Sequence, residues 1–458
     1  MSTRDVVELD GELVSRLIAD EERALAQKQP KSIAYQEEAR AHLPGGVSSS
    51  WQTAPPHPIY IDRGLGSKVW DIDGNEFSDY HNGYGAVAVG HAHPKIVEAV
   101  QRRITLGSHF AQPTTDALIV AENLAERTQL PLWRFGNSGT EATLDATRLM
   151  RAATGRDLLL KIEGTYHGHH DALMVSVFPQ PDQWGDREHP NSVPQTPGLP
   201  QSYVDLTLSV PFGDLGAARA AFEAHPGQIA GMIVEPCMTN VGLLLPPDGY
   251  LQGLKDLCHA NGAYFAFDEV KTGATIAWGG AVEAFGVVPD LSCFAKSIGG
   301  GLPCGAIGGV PEIMNLVERG KVDQVGTFNG NPLTMAACRA TLTEVLVPEA
   351  YARFDSLNGV FRRGLQRVID DYRLPAHLEL MGAKGSITWR EEPLHDYRDG
   401  FNVDSQPSYL SWLWQLNRGI FKSPWAKWES WTTSVVHEDA EAQRYVDNFE
   451  ALAQALTA

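Results

Sequence analysis

One lysine closes the apolar run Leu291-Ser292-Cys293-Phe294-Ala295-Lys296-Ser297-Ile298, and three glycines, Gly299, Gly300 and Gly301, follow at once. That pattern predicts an amine held at the end of a buried strand. Upstream, Tyr264-Phe265-Ala266-Phe267 ends in a carboxylate, Asp268. A buried lysine that can form a Schiff base, and an acid that can pair with a pyridinium nitrogen, are the two protein groups that pyridoxal phosphate chemistry requires. Asp268 could instead cap the turn that follows, and Glu269 could supply the acid. Alternation along the strand does not separate them; Asp268 is chosen because it follows the apolar run directly.

Other motifs surround this pair. Phe135-Gly136-Asn137-Ser138-Gly139-Thr140-Glu141 precedes a helical stretch, Ala142 to Arg151. Small residues at a helix start let backbone N–H groups and hydroxyls approach a phosphate, and the helix dipole favours the anion. Ser138 or Thr140 would also cap any helix, phosphate or not. Tyr166-His167-Gly168-His169-His170-Asp171 has the look of a metal cluster, but no Cys or His partner set completes it. An aromatic ring stacked on a planar cofactor is the better use of Tyr166. His91-Ala92-His93-Pro94 reads as a helix entry. The glycines at 299–309 do not spell GxGxxG and follow a lysine-bearing strand end, so a dinucleotide site is rejected. Trp425, Trp428 and Trp431 could form an aromatic wall, with core packing the default.

The elements that must position these residues follow an α/β pattern. Residues 8–43 carry apolar groups at helical spacing and end at Pro44-Gly45-Gly46; residues 68–76 read as a strand turning at Asp73-Gly74-Asn75. From about 115 to 310, strand-like runs (158–162, 229–234, 264–267, 291–294) alternate with helical ones, including one at about 250–260. Tyr166, Glu235, Asp268 and Lys296 all follow such strands, where open α/β sheets place their ligands. Residues 180–200, with five prolines, read as a surface loop or lid. Three regions are expected: an N-terminal helical segment over 1–65 that forms part of the small domain, a large α/β domain over 66–340, and a smaller α+β domain over 341–458.

The chain has 458 residues, 43% hydrophobic and 20% charged, with a formal net charge of −19. The acidic balance argues against a nucleic-acid or anionic-membrane partner. Cysteines 237, 258, 293, 304 and 338 show no paired spacing, which fits reduced thiols in a cytosol. Met1 leads into acidic residues without an apolar core of signal-peptide length. A soluble cytoplasmic protein is expected, with no metal.

Together these residues resemble the class III (subgroup II) pyridoxal-phosphate aminotransferases of fold type I, and within them the glutamate-1-semialdehyde 2,1-aminomutase-like branch. The resemblance runs from about residue 33 onward. It includes His42-Leu43-Pro44-Gly45-Gly46-Val47, Asn137-Ser138-Gly139-Thr140-Glu141-Ala142, Phe267-Asp268-Glu269-Val270 and Gly326-Thr327-Phe328-Asn329-Gly330-Asn331-Pro332. It implies a large domain with a mostly parallel central sheet flanked by helices, plus a smaller α+β domain. It implies that Lys296 carries the internal aldimine and shuttles a proton, and that Asp268 keeps the ring nitrogen protonated. Val270 would lie on the ring face opposite Tyr166, Asn240 would meet the ring hydroxyl, and Ser138, Gly139 and Thr140 would cradle the phosphate. Thr327 would come from the other subunit of a homodimer. Gln52 stands where the aminomutase carries a carboxylate-binding arginine, and Tyr84 and Glu429 join it as substrate-side candidates. Gln52 cannot make a bidentate charged contact; Lys422, Lys427 and Arg390 are the cations that could replace it. The expectation is a ping-pong aminotransferase taking an amine or β-amino acid donor and an oxo-acid acceptor. The alternative is the intramolecular aminomutase.

Overall fold

The structure is a computed structural model; it describes residues 6–424 and 427–458, without the side chain of Glu429. Two compact units are built from interleaved stretches of chain. Unit 1 takes in the chain up to His93, Glu349–Leu394 and Asp399–Ala458; unit 2 is Pro94–Pro348 with His395–Arg398.

Unit 1 begins with the helix Gly11–Lys28, whose start is capped by Asp10 accepting from Glu12 N and Leu13 N, and which buries Val14, Ile18 and Leu25. The helix Pro30–Ala39 follows. Strands β1 (Ile61–Leu65), β2 (Lys68–Asp71) and β3 (Glu76–Asp79) come next.

Unit 2 then contributes β4 (Leu132–Gly136), β5 (Leu158–Ile162), β6 (Thr207–Val210), β7 (Ile229–Val234), β8 (Tyr264–Asp268), β9 (Leu291–Ala295) and β10 (Gly305–Gly309). They form one sheet in the order β4-β10-β9-β8-β7-β5-β6. β5 to β9 pair in parallel, whereas β10 runs antiparallel to both β9 and β4. β7 and β9 are buried at every position, the mark of strands covered on both faces. The glycines of β10 answer to close neighbours. A Cβ on Gly305 would sit 2.1 Å from Ser138 O, and one on Gly308 would sit 2.4 Å from the Trp133 ring. That explains the glycine string after Lys296.

The chain returns to unit 1 with β11 (His377–Met381), β12 (Lys384–Thr388), β13 (Ile420–Phe421) and β14 (Glu429–Thr432). β13 pairs in parallel with β3, and β12 lies between β11 and β14. The helices Tyr351–Asp371 and Asp439–Thr457 supply Leu357, Phe361, Tyr445 and Phe449 to one core with Trp431.

These pairings move the expected boundaries. Residues 66–93 group with unit 1 rather than with the large α/β domain, because β2 and β3 sit in the sheet that β13 completes. Unit 2 runs on to Pro348 and takes back residues 395–398.

That short return is an anchor. Arg398 Nε and Nη2 donate to the two carboxylate oxygens of Glu163 at 2.8 and 3.1 Å, and its nitrogens also reach the carbonyls of Trp184, Gly185 and Asp186. Tyr397 Oη donates to Pro179 O at 3.0 Å. The proline-rich stretch is thus a surface loop strapped down at 179–187. Both charged side chains are buried, 8% exposed for Arg398 and 2% for Glu163. Removing one partner strands the other charge away from water. Glu163→Ala is therefore expected to cost roughly 3 kcal/mol in urea unfolding, and Arg398→Met combined with it should recover part of that loss.

Candidate active site

The strand ends of unit 2 bring charged side chains together. Lys296 directly follows β9 with φ 50°, a left-handed conformation uncommon for a residue with a Cβ, and Gly300 (φ 57°) closes the turn. Its amine has no hydrogen-bond or ion-pair partner among the described residues. Burial pulls its pKa down from the ordinary lysine value, while Asp268 and Glu235 pull the other way.

Asp268 is the last residue of β8 and is 4% exposed. One carboxylate oxygen accepts from Val270 N at 2.9 Å; the other lies 2.7 Å from His167 Nδ1. His167 Nε2 is buried with no hydrogen-bond partner among the described residues. The neighbouring Glu269 turns elsewhere: it accepts from Ala281 N and Thr272 Oγ1, and burial raises its pKa to about 8. The two acids that the sequence left open therefore have different surroundings, and Asp268 is the one tied to the segment that carries Tyr166.

That segment is held firmly. Lys161 on β5 is fully buried and donates to Thr165 O at 2.9 Å and Val175 O at 2.6 Å. Desolvation lowers its pKa to about 7. Tyr166 N donates to Glu235 Oε1 at 3.1 Å, and the same carboxylate accepts from Thr239 N, Thr239 Oγ1 and Asn240 Nδ2. The histidines of the motif part company: His169 Nδ1 lies 3.2 Å from Thr140 Oγ1, and His170 Nε2 lies 3.3 Å from Thr143 Oγ1.

The helix Gly139–Thr154 starts beside these groups. Ser138 caps it by accepting from Glu141 N, which leaves the serine O–H free to donate to a ligand. A Cβ on Gly139 would sit 2.7 Å from Val270 Cγ2, so only glycine lets the helix start and Val270 approach this closely. The first N–H groups and the helix dipole make this end suited to an anion.

The substrate-side candidates belong to unit 1. Gln52 is exposed, and its Oε1 accepts from Ser48 N at 3.0 Å. Tyr84 (φ 58°) donates to Trp51 O at 2.7 Å and meets the Trp51 ring edge-on at 5.7 Å. Burial raises the Tyr84 hydroxyl to about 12. Glu429 lies on β14 opposite Ile387, its side chain outside the described residues, as is Trp425. Trp431 packs in the core, 3% exposed. The cations weighed as carboxylate anchors have other engagements. Lys422 lies over the Tyr445 ring, Lys427 donates to Phe401 O, and Arg390 sits between Glu392 and Asp399. Thr327 lies in unit 2 on an exposed stretch with Val325 and Phe328.

Three residues here escaped the sequence reading in these roles. His167 was weighed only as a metal ligand, Lys161 only as part of a strand, and Trp51 not at all. The adjacency of His167 to Tyr166 was the available signal.

Comparison with known proteins identifies the family. The model for "Aminotransferase class-III" matches residues 49–399. The chain belongs to the class III aminotransferases. This class III chain is 38% identical over 422 residues to a protein of Bacillus anthracis named glutamate-1-semialdehyde 2,1-aminomutase 2, covering 91% of this chain and 96% of that one. Its fold matches an omega-transaminase from Sphaerobacter thermophilus with TM-score 0.89 and 33% identity, over 94% of this chain and 100% of that chain. It also matches a glutamate-1-semialdehyde-aminomutase from Pseudomonas aeruginosa in complex with PMP, with TM-score 0.89, 26% identity, and 98% and 100% coverage. The cofactor of this class III enzyme is pyridoxal phosphate. The residues present fit it: a partnerless amine at Lys296, a buried acid at Asp268, and a helix start at Gly139 too tight for any Cβ. Among the described residues no helix is long and apolar enough to cross a membrane.

Gly139→Ala should weaken cofactor capture at least about 10-fold in a visible-absorbance titration, because the new methyl meets Val270. Val270→Ala in the same chain should restore part of the affinity.

Proposed function

We propose that this class III enzyme is an aminotransferase, moving an amino group from an amine or β-amino acid to an oxo acid in two half-reactions. When bound, pyridoxal phosphate supplies an aldehyde that condenses with amines and a ring that takes up an electron pair. Lys296 Nζ holds the cofactor and then moves a proton to and from the donor carbon; its lowered proton affinity leaves more of it as the free amine that this step requires. Asp268, steadied by His167, holds a proton at the ring nitrogen. Tyr166 and Val270 would hold the ring from its two faces, Asn240 would meet the ring hydroxyl, and Ser138, Gly139 and Thr140 would hold the phosphate through the helix start.

The observation that carries the reading is the partnerless Lys296 amine beside the His167–Asp268 pair. Transamination is favoured over the aminomutase reaction by Gln52, a neutral side chain bonded to Ser48 N where the aminomutase needs a charged carboxylate anchor. The Trp51–Tyr84 pair offers an aromatic surface instead, which suits a hydrophobic amine or an aryl β-amino acid. The aminomutase remains the second reading because of the 38% identity to a protein of that name.

A homodimer completes the proposal, with Thr327 contributed to the partner's phosphate site. It is supported by exposed apolar side chains in unit 2, among them Val325 at 80%, Leu106 at 65% and Phe328 at 58%.

Amine donors and oxo acids offered separately should bleach and then restore the cofactor's visible band. Glutamate-1-semialdehyde without any oxo acid should yield no 5-aminolevulinate; its formation would overturn the transaminase reading. Lys296→Ala should lower turnover by at least about 10³-fold while cofactor still binds.

A further inference from the structure

A hydroxyl in a phosphate cradle helps only when its proton points at the anion. Thr140 is the second residue of the helix Gly139–Thr154, and its hydroxyl meets one other residue, His169. The His169 backbone N–H donates to Thr140 Oγ1 at 3.4 Å, and the ring Nδ1 lies 3.2 Å from the same oxygen. Gly168 brings the two segments this close. At φ 92°, a Cβ there would sit 2.8 Å from both Thr140 Cα and Thr140 Oγ1. Among the described residues Thr140 Oγ1 has no further hydrogen-bond partner. Thr143, one turn along the helix, differs: its hydroxyl proton is taken by His167 O at 2.6 Å.

We propose that His169 is a positioning residue of the cofactor site, whose Nδ1–H holds Thr140 Oγ1 as an acceptor and turns the Thr140 proton to the phosphate. The inference rests on reading the helix start Ser138–Thr140 as the phosphate cradle. A hydroxyl has one proton and two lone pairs. With a proton on Nδ1, His169 fills both lone pairs, one through its backbone N–H and one through its ring. The Thr140 proton is then left for the phosphate. With Nδ1 bare, the Thr140 proton turns to the ring and the phosphate loses a donor. Hydrogen bonds to a charged oxygen are roughly twice as strong as neutral ones, so a bound phosphate selects the first arrangement. A neutral ring protonated at Nδ1 suffices, and the hold needs no charge on His169. His169 is exposed, so replacing it opens no cavity in the core.

The test compares two aldehydes that differ only in the phosphate. The full-length protein, freed of cofactor, is titrated with pyridoxal phosphate and with pyridoxal, and capture is read from visible absorbance. His169→Ala should weaken capture of pyridoxal phosphate about 10-fold and leave that of pyridoxal near the wild-type value. His169→Asn, whose amide N–H can stand where Nδ1–H stands, should keep most of the affinity. With Thr140→Val already in place, adding His169→Ala should cost little more, because the hydroxyl it orients is gone. Wild-type affinity for pyridoxal phosphate in His169→Ala overturns the proposal. Equal losses for both aldehydes also overturn it, since a merely structural role would produce them. So does an asparagine variant as weak as the alanine one, or a full further loss on top of Thr140→Val. Should the alanine variant fail to fold, His169→Phe, a ring without a donor, takes its place. Unchanged capture of pyridoxal phosphate by Thr140→Val alone would remove the cradle reading itself, and the proposal with it.

Discussion

The desolvation of Lys296 is the constraint on which the rest of unit 2 depends. Lys296 follows a fully buried strand, and among the described residues its amine has no hydrogen-bond or ion-pair partner. Its protonated form is disfavoured in consequence. Compensation by Asp268 and Glu235 is partial, since each carboxylate has bonds of its own: Asp268 with Val270 N and His167, Glu235 with Tyr166 N, Thr239 and Asn240. Among the described residues the two acids thus have hydrogen-bond partners and the amine has none.

Such a concentration of buried charge demands rigid surroundings. Lys161 ties the two ends of the segment after β5 through backbone carbonyls, and Arg398 closes on Glu163 at the end of that strand. Close backbone approach does the remaining work. Gly139 admits Val270, and Gly305 admits the backbone of Ser138, so the helix start and the antiparallel strand β10 lie against the same few residues. Any side chain at those glycines would force the helix start away from the strand ends.

The substrate side obeys a different logic. Tyr84 and Trp51 are joined by a hydrogen bond and a ring contact, Gln52 accepts from Ser48 N, and none of the three carries a charge. Lys422 lies against the Tyr445 ring and Lys427 against Phe401, so these two lysines of unit 1 serve aromatic packing. Charge chemistry concentrates in the cofactor residues, and the substrate candidates are largely aromatic and neutral.

Much of this was legible in the chain itself. Largely apolar runs at 158–162, 229–234, 264–267 and 291–295 announce buried strands, and the last three end next to Glu235, Asp268 and Lys296. The period of the pattern and the residue that breaks it are local properties, so Lys296, Asp268 and the helix start at Ser138 stand out as candidates by reading alone. Direction and partnership are not local. The antiparallel course of β10, the transfer of residues 66–93 to the sheet with β13, and the return of 395–398 to unit 2 arise from pairings between distant segments. The separate surroundings of Asp268 and Glu269, the bond from His167 to Asp268 and the approach of His169 to Thr140 likewise depend on which strand ends become neighbours. Sequence determined which side chains lose their water; only the tertiary structure decided which of them then find each other, because a hydrogen bond requires atoms about 3 Å apart and chain order does not set that distance.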